Sequence, residues 1–141
     1  MDKRTEKILL AEDDVKTREY LKQSLIQKGY NVDTVNTGKQ VLEKINTKFY
    51  NLAIISQTFS DINGMKFVAK IHRMGYRGLI FIIGSVSLDD AVNAINQGAD
   101  AYIMRPVNLE KLLKMVREKL DKQRRKNVKK TINVDKRSKM L

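Results

Sequence analysis

The chain has 141 residues, 42% of them hydrophobic, which is enough for one domain with a sizeable core and an appendage. It has no cysteine, which excludes disulfides and thiolate metal sites, and no apolar run near the roughly 20 residues of a membrane span. The formal net charge of +12 is uneven: from Asp121 to Leu141, nine Lys and Arg face two Asp.

The charged start, Met1 to Lys7, leads into a short apolar run and not into a signal-peptide core, so a soluble cytoplasmic protein is expected. Ile8-Leu9-Leu10-Ala11 reads as a buried strand ending in Glu12-Asp13-Asp14. Asp14 can cap a helix running to about Lys28, with Leu21 and Leu25 on one face and Gly29 as its stop. Asn31 to Val35 reads as a strand, and Thr37-Gly38 opens a helix with Val41, Leu42 and Ile45 inward.

Leu52-Ala53-Ile54-Ile55-Ser56 is a short run buried on both faces, with Ser56 at its carboxyl end. A polar loop from Gln57 to Asn63 follows, then a helix from about Gly64 carrying Val68 and Ile71. Leu79 to Ile83 is the most apolar run and is placed as a central strand. The next helix starts at about Leu88, where Leu88, Ala91, Val92 and Ile95 hold the i, i+3, i+4, i+7 spacing, and Gly98 ends it. Ala101 to Met104 is a fifth strand, stopped by Arg105-Pro106, and the last helix has Leu109, Leu112, Leu113, Val116 and Leu120 in register.

Strand and helix thus alternate five times, which is the pattern of an α/β parallel sheet covered on both faces by helices. In such sheets ligands meet the carboxyl ends of the strands, which is where Ser56 falls. Residues 1–122 form the domain on this reading. Residues 123–141 form a basic tail, expected as frayed or extended helix and then flexible chain, because its apolar residues are too sparse to define a buried face.

These residues resemble the receiver domain of bacterial two-component response regulators over about residues 6 to 122. The likeness rests on Glu12-Asp13 after the first strand with Arg18 behind them, Asp61-Ile62-Asn63-Gly64, Gln97-Gly98-Ala99-Asp100-Ala101-Tyr102, and Arg105-Pro106. It implies a flavodoxin-like, doubly wound five-stranded parallel sheet with five helices, in strand order 2-1-3-4-5. It also implies the family's chemistry. An aspartate ending the third strand takes a phosphoryl group, an acidic pair binds Mg²⁺, a Ser or Thr ends the fourth strand, and a Lys precedes a proline after the fifth.

This sequence keeps Glu12 and Asp13 and departs elsewhere. Ser56 stands at the phosphoacceptor position, so no catalytic residue is assigned; its hydroxyl cannot form an acyl phosphate and is a poor nucleophile when unactivated. Counting back from Gly98-Ala99 places Ile83 at the Ser/Thr position, whereas a shorter loop would bring Ser85 there. Arg105 replaces the lysine and keeps the charge in a planar fork. Ser60 replaces a proline usual in that loop. The expected reading is a degenerate, or pseudo-, receiver that acts by protein docking, independently of phosphorylation. The alternatives are a phosphorylatable regulator with an unusual site, and a nucleic-acid-associated protein working through its tail.

Glu12 and Asp13 are expected to hold Mg²⁺ weakly at most, with no cofactor required. Arg105 is expected to reach in and pair with them; the plainer alternative is a solvated acidic patch. Asp61 is read as a turn-maker with Asn63-Gly64, and His72 as a surface residue. Tyr102 matches the aromatic position that swings in the family, or else is an amphipathic edge residue. Pro106 follows Arg105 where relatives have a cis bond. The family's docking face maps to about Leu88–Gln97, Tyr102 and the outer side of Leu109–Leu120, with Leu88 and Val92 central. In the tail, Arg124, Arg125, Lys126, Lys129 and Lys130 suit weak, non-specific contact with nucleic acid or an acidic partner, or merely keep the chain soluble. There is too little chain after Lys122 for a helix-turn-helix. A metabolic enzyme or flavin protein is not expected, since no glycine-rich phosphate loop follows the first strand.

Overall fold

The computed structural model describes residues 6–57, 59, 61 and 64–140, with the backbone alone for 64–66 and 130–140. The expectations for Ser60, Ile62 and Asn63 fall outside the described residues, as does any statement on the Lys130 side chain. Two compact units divide the chain, residues 1–109 and 110–141.

The first unit alternates strand and helix: β1 (Lys7–Ala11), α1 (Val15–Gln27), β2 (Asn31–Val35), α2 (Gly38–Thr47), β3 (Leu52–Ser56), α3 (Gly64–Arg73), β4 (Leu79–Gly84), α4 (Leu88–Asn96) and β5 (Ala101–Met104). The strands form one parallel sheet in the order β2-β1-β3-β4-β5. This order follows from the apolar runs. All five residues of β3 are buried, and Ile80 to Gly84 of β4 are buried with them, so both strands must lie inside with helices on each face. The order reverses between β1 and β3, and such a switch point opens a crevice beyond the strand ends.

Local chemistry sets the helix limits. Asp14 caps α1, its carboxylate accepting from the Thr17 amide at 2.9 Å and the Thr17 hydroxyl at 2.6 Å. Gly29 ends α1 with φ 94°, a left-handed conformation that favours glycine. Thr37 caps α2 through the Gln40 amide at 3.2 Å, and Ser87 caps α4 through the Asp90 amide at 3.2 Å. Leu21 and Leu25 of α1 are buried, and Val41 of α2 with Val68 and Ile71 of α3 pack into a core that includes Leu9, Ala53, Ile55, Ile80 and Ile82.

The apolar stripe of α4 points outward. Leu88 is 73% exposed, Val92 48% and Ile95 47%, while Ala94 is the buried residue of this helix. An i, i+3, i+4, i+7 pattern marks one face of a helix but does not say whether that face meets the core or a partner.

The second unit carries α5 (Leu109–Met140), whose first residue belongs to the first unit. Leu112, Val116 and Leu120 are buried. The helix does not fade after Leu120 but continues to Met140. Local propensity accounts for this, because the stretch is rich in Lys and Arg and contains no Gly or Pro to stop it.

Candidate functional site

Parallel pairing brings the carboxyl ends of four strands together. Ala11 of β1 is in register with Ile55 of β3, Ser56 with Ile83 of β4, and Ile83 with Ile103 of β5. Glu12 and Arg105 are the first residues beyond β1 and β5. Their backbones are fixed, with the Glu12 amide donating to Val35 O at 3.1 Å and the Arg105 amide to Gly84 O at 2.9 Å.

Arg105 folds its guanidinium over the end of β3. Its Nη2 donates to Ser56 Oγ at 2.7 Å and lies 3.2 and 3.4 Å from the two oxygens of Glu12. Glu12 and Ser56 are each 1% exposed, and the Arg105 side chain is 32% exposed. A buried carboxylate is costly unless paired, and Arg105 provides that partner. Arg105 Nε is buried without a hydrogen-bond partner. Arg18 supports the same corner from α1, its Nη1 donating to Glu12 O at 2.9 Å.

Asp13, the second residue of the acidic pair, is exposed. Ile83, 1% exposed, faces Ser56 across the strand pair with an alkyl side chain. Ser85 lies beyond β4, and its hydroxyl donates to Asp90 Oδ2 at 3.1 Å. The Asp14 carboxyl is held below the usual carboxylate range, chiefly by the Thr17 hydroxyl and amide.

A second cluster sits beside the first. The Tyr102 hydroxyl lies 3.0 Å from Gln57 Oε1 and 2.9 Å from Ser85 O, so its one proton is shared between two acceptors. Burial pushes this phenol up. Gly84 makes room for the arrangement, because a Cβ there would collide with both Gln57 Oε1 and the Tyr102 hydroxyl. The Arg105–Pro106 bond is cis.

Two polar residues have roles that local sequence did not suggest. Asp61, read as a turn-maker, caps α2 from a distant loop, accepting from the Gly38 and Lys39 amides at 3.0 Å each. Those amide bonds hold its carboxyl below the usual range. His72, read as a plain surface residue, is exposed yet lies with Nε2 3.1 Å from Gly98 O, so the imidazole donates from Nε2. Gly98 carries φ +110°, and a Cβ there would meet that imidazole. A spacing pattern gives no sign of either contact.

The family model for the response regulator receiver domain matches residues 8–117. The chain belongs to the response-regulator receiver family. This receiver is 32% identical over 121 residues to Response regulator ArlR of Staphylococcus aureus strain Mu50, an alignment covering 86% of this chain and 55% of that protein. It therefore spans about half the length of the curated relatives it matches. Among solved structures, it is similar to a CheY-like response regulator receiver domain from Methanospirillum hungatei JF-1, at 35% identity and a TM-score of 0.81, covering 87% of this chain and 99% of that one. A two-component response regulator from Clostridium difficile aligns at 28% identity and a TM-score of 0.80, covering 84% and 98%. No helix among the described residues is long and apolar enough to cross a membrane.

Proposed function

We propose that this receiver works in two-component signalling as a docking module whose state does not depend on aspartyl phosphorylation. The observation that carries the reading is the guanidinium of Arg105 bridging Ser56 Oγ and the Glu12 carboxylate. Phosphoryl transfer in the family needs a carboxylate nucleophile, a metal to neutralise developing charge, and a hydroxyl to bind the transferred group. Here Ser56 offers a hydroxyl that already accepts from Arg105, and the Ile83 side chain offers no hydrogen bond.

On this reading Glu12 and Asp13 hold Mg²⁺ weakly at most. The ion favours octahedral oxygen donors, usually including carboxylates. Both Glu12 oxygens face a fixed cation, Asp13 is exposed, and no group of three or more His, Cys, Asp or Glu that could hold a metal occurs among the described residues. Arg105 supplies one positive charge permanently, without a metal or a phosphoryl group.

Docking is assigned to the outer side of α4, where Leu88 and Val92 are exposed and Val86, just before the helix, is 75% exposed. Tyr102 contributes from β5 in one fixed position. Exposed aliphatic residues grouped in this way suit a protein partner.

The test is an amide NMR titration with Mg²⁺ and then beryllofluoride, which stands in for the phosphoryl group. Silence, or Mg²⁺ shifts confined to Glu12 and Asp13, is expected. Shifts that spread from Ser56 to Tyr102 only with beryllofluoride would instead identify a working phosphoswitch, the mode of an ordinary response regulator.

A further inference from the structure

We propose that the distal half of α5 is a phosphate-binding arm for duplex DNA. Lys122, Arg125, Lys126 and Lys129 are exposed. At 3.6 residues per turn, their i, i+3, i+4, i+7 spacing places all four within an arc of about 100°. Arg124 falls on the other side of the helix. The sequence carries the same spacing on to Lys130, Lys136 and Arg137.

Solubility alone does not account for this pattern. Solvated helices intersperse both signs, and Glu-to-Lys pairs four residues apart support them. Glu118 and Asp121 stand four residues before Lys122 and Arg125, but residues 122–134 themselves hold six Lys and Arg with no Asp or Glu. Lys122 with Lys126, and Arg125 with Lys129, are like-charged pairs four apart that weaken the free helix. A polyanion laid along the stripe removes that repulsion.

The partner follows from the geometry of the charges. The four cations span about 10.5 Å of helix axis, a dense linear array suited to the dense linear charge of a duplex, about one phosphate per 1.7 Å. A membrane surface fits less well. A helix lying in the interface needs a broad apolar face with large side chains, and between Lys122 and Lys129 the one apolar residue is Val128, beside Gln123 and Asn127. Binding through phosphates is insensitive to base sequence and steep in salt.

The test is fluorescence anisotropy of the full chain with a labelled random-sequence DNA duplex between 50 and 200 mM NaCl. Four neutralised phosphates predict an affinity loss of about 150-fold across that range. The variant Lys122→Gln/Arg125→Gln/Lys126→Gln/Lys129→Gln should lose binding at 50 mM, or keep a salt dependence below about tenfold. A variant matched in charge on the body, Lys16→Gln/Lys28→Gln/Lys70→Gln/Arg77→Gln, should bind like the unaltered chain. Far-UV circular dichroism should show helix gained when duplex is added. Absence of duplex binding at 50 mM overturns the proposal, as does equal loss in the body variant. Co-sedimentation with phosphatidylserine vesicles but no duplex binding also overturns it, and assigns the arm to a membrane.

Discussion

Arg105 Nη2 sits 2.7 Å from Ser56 Oγ and 3.2 Å from Glu12 Oε2, joining residues that lie 49 and 93 positions away in the chain. One side chain thus satisfies the hydroxyl ending β3 and the buried acid following β1. Truncating it leaves Glu12 in the interior without its counter-ion.

Arg105→Ala is therefore expected to destabilise the domain by about 3 kcal/mol, the low end for breaking a buried pair, because part of the arginine is solvated. Adding Glu12→Gln should recover much of that loss by removing the stranded charge. Urea unfolding of both single variants and the double variant gives the coupling directly. Full additivity would mean that the pair contributes nothing.

Restoring the acceptor alone is not expected to restore a switch. In Ser56→Asp, the new carboxylate pairs with Arg105, and Ile83 still cannot bond a phosphoryl oxygen. No beryllofluoride response at Tyr102 is expected for this variant. Ser56→Asp/Ile83→Thr/Arg105→Lys should show one, read as amide shifts from Glu12 to Tyr102. A full response from Ser56→Asp by itself would place the defect in the acceptor only.

Gly84→Ala should release Tyr102. The added methyl meets Gln57 Oε1 and the phenol oxygen, both at the ends of side chains that can swing. The cost is about 1 kcal/mol, the net worth of a typical hydrogen bond. The Tyr102 ring resonances should move toward those of a solvated tyrosine. Unchanged ring shifts would show that the β4 backbone yields instead of the side chains.

Asp61 should make α2 sensitive to acid. Its folded carboxyl lies below the ordinary value of 3.8 because two amides of α2 donate to it. The stability it contributes is complete above that ordinary value and disappears as pH falls through the lower folded value. Wild type should therefore exceed Asp61→Ala in Tm at neutral pH, and the two should converge in strong acid. Amide exchange at Gly38 and Lys39 should be faster in the variant at neutral pH. A Tm difference that persists in strong acid would mean the loss comes from something other than the charged cap.

Much of the fold was legible locally. The apolar runs at Ile8, Leu52 and Leu79 mark strands buried on both faces, and the caps at Asp14 and Thr37 act within three residues of themselves. Ser56 could be placed at a sheet end because the strand and its flanking polar residues are contiguous. The outward turn of the α4 stripe was legible only through the family likeness, which put Leu88 and Val92 on a docking face, since their spacing is the same whichever way they face. For the tail the sequence left frayed or extended helix and flexible chain open, because its sparse apolar residues define no buried face; α5 runs to Met140 with no residue to break it.

Sequence by itself determined the alternation of elements, the parallel sheet and a serine at the end of β3, because periodicity, capping and residue chemistry act over a few positions. Tertiary structure decided that Arg105 meets Glu12, that Asp61 caps α2, that His72 reaches Gly98 and that Tyr102 rests between Gln57 and Ser85. Each of these contacts spans 17 to 93 residues. Such partners are set by the order in which strands pair and by the directions their loops impose, which no local pattern of side chains encodes.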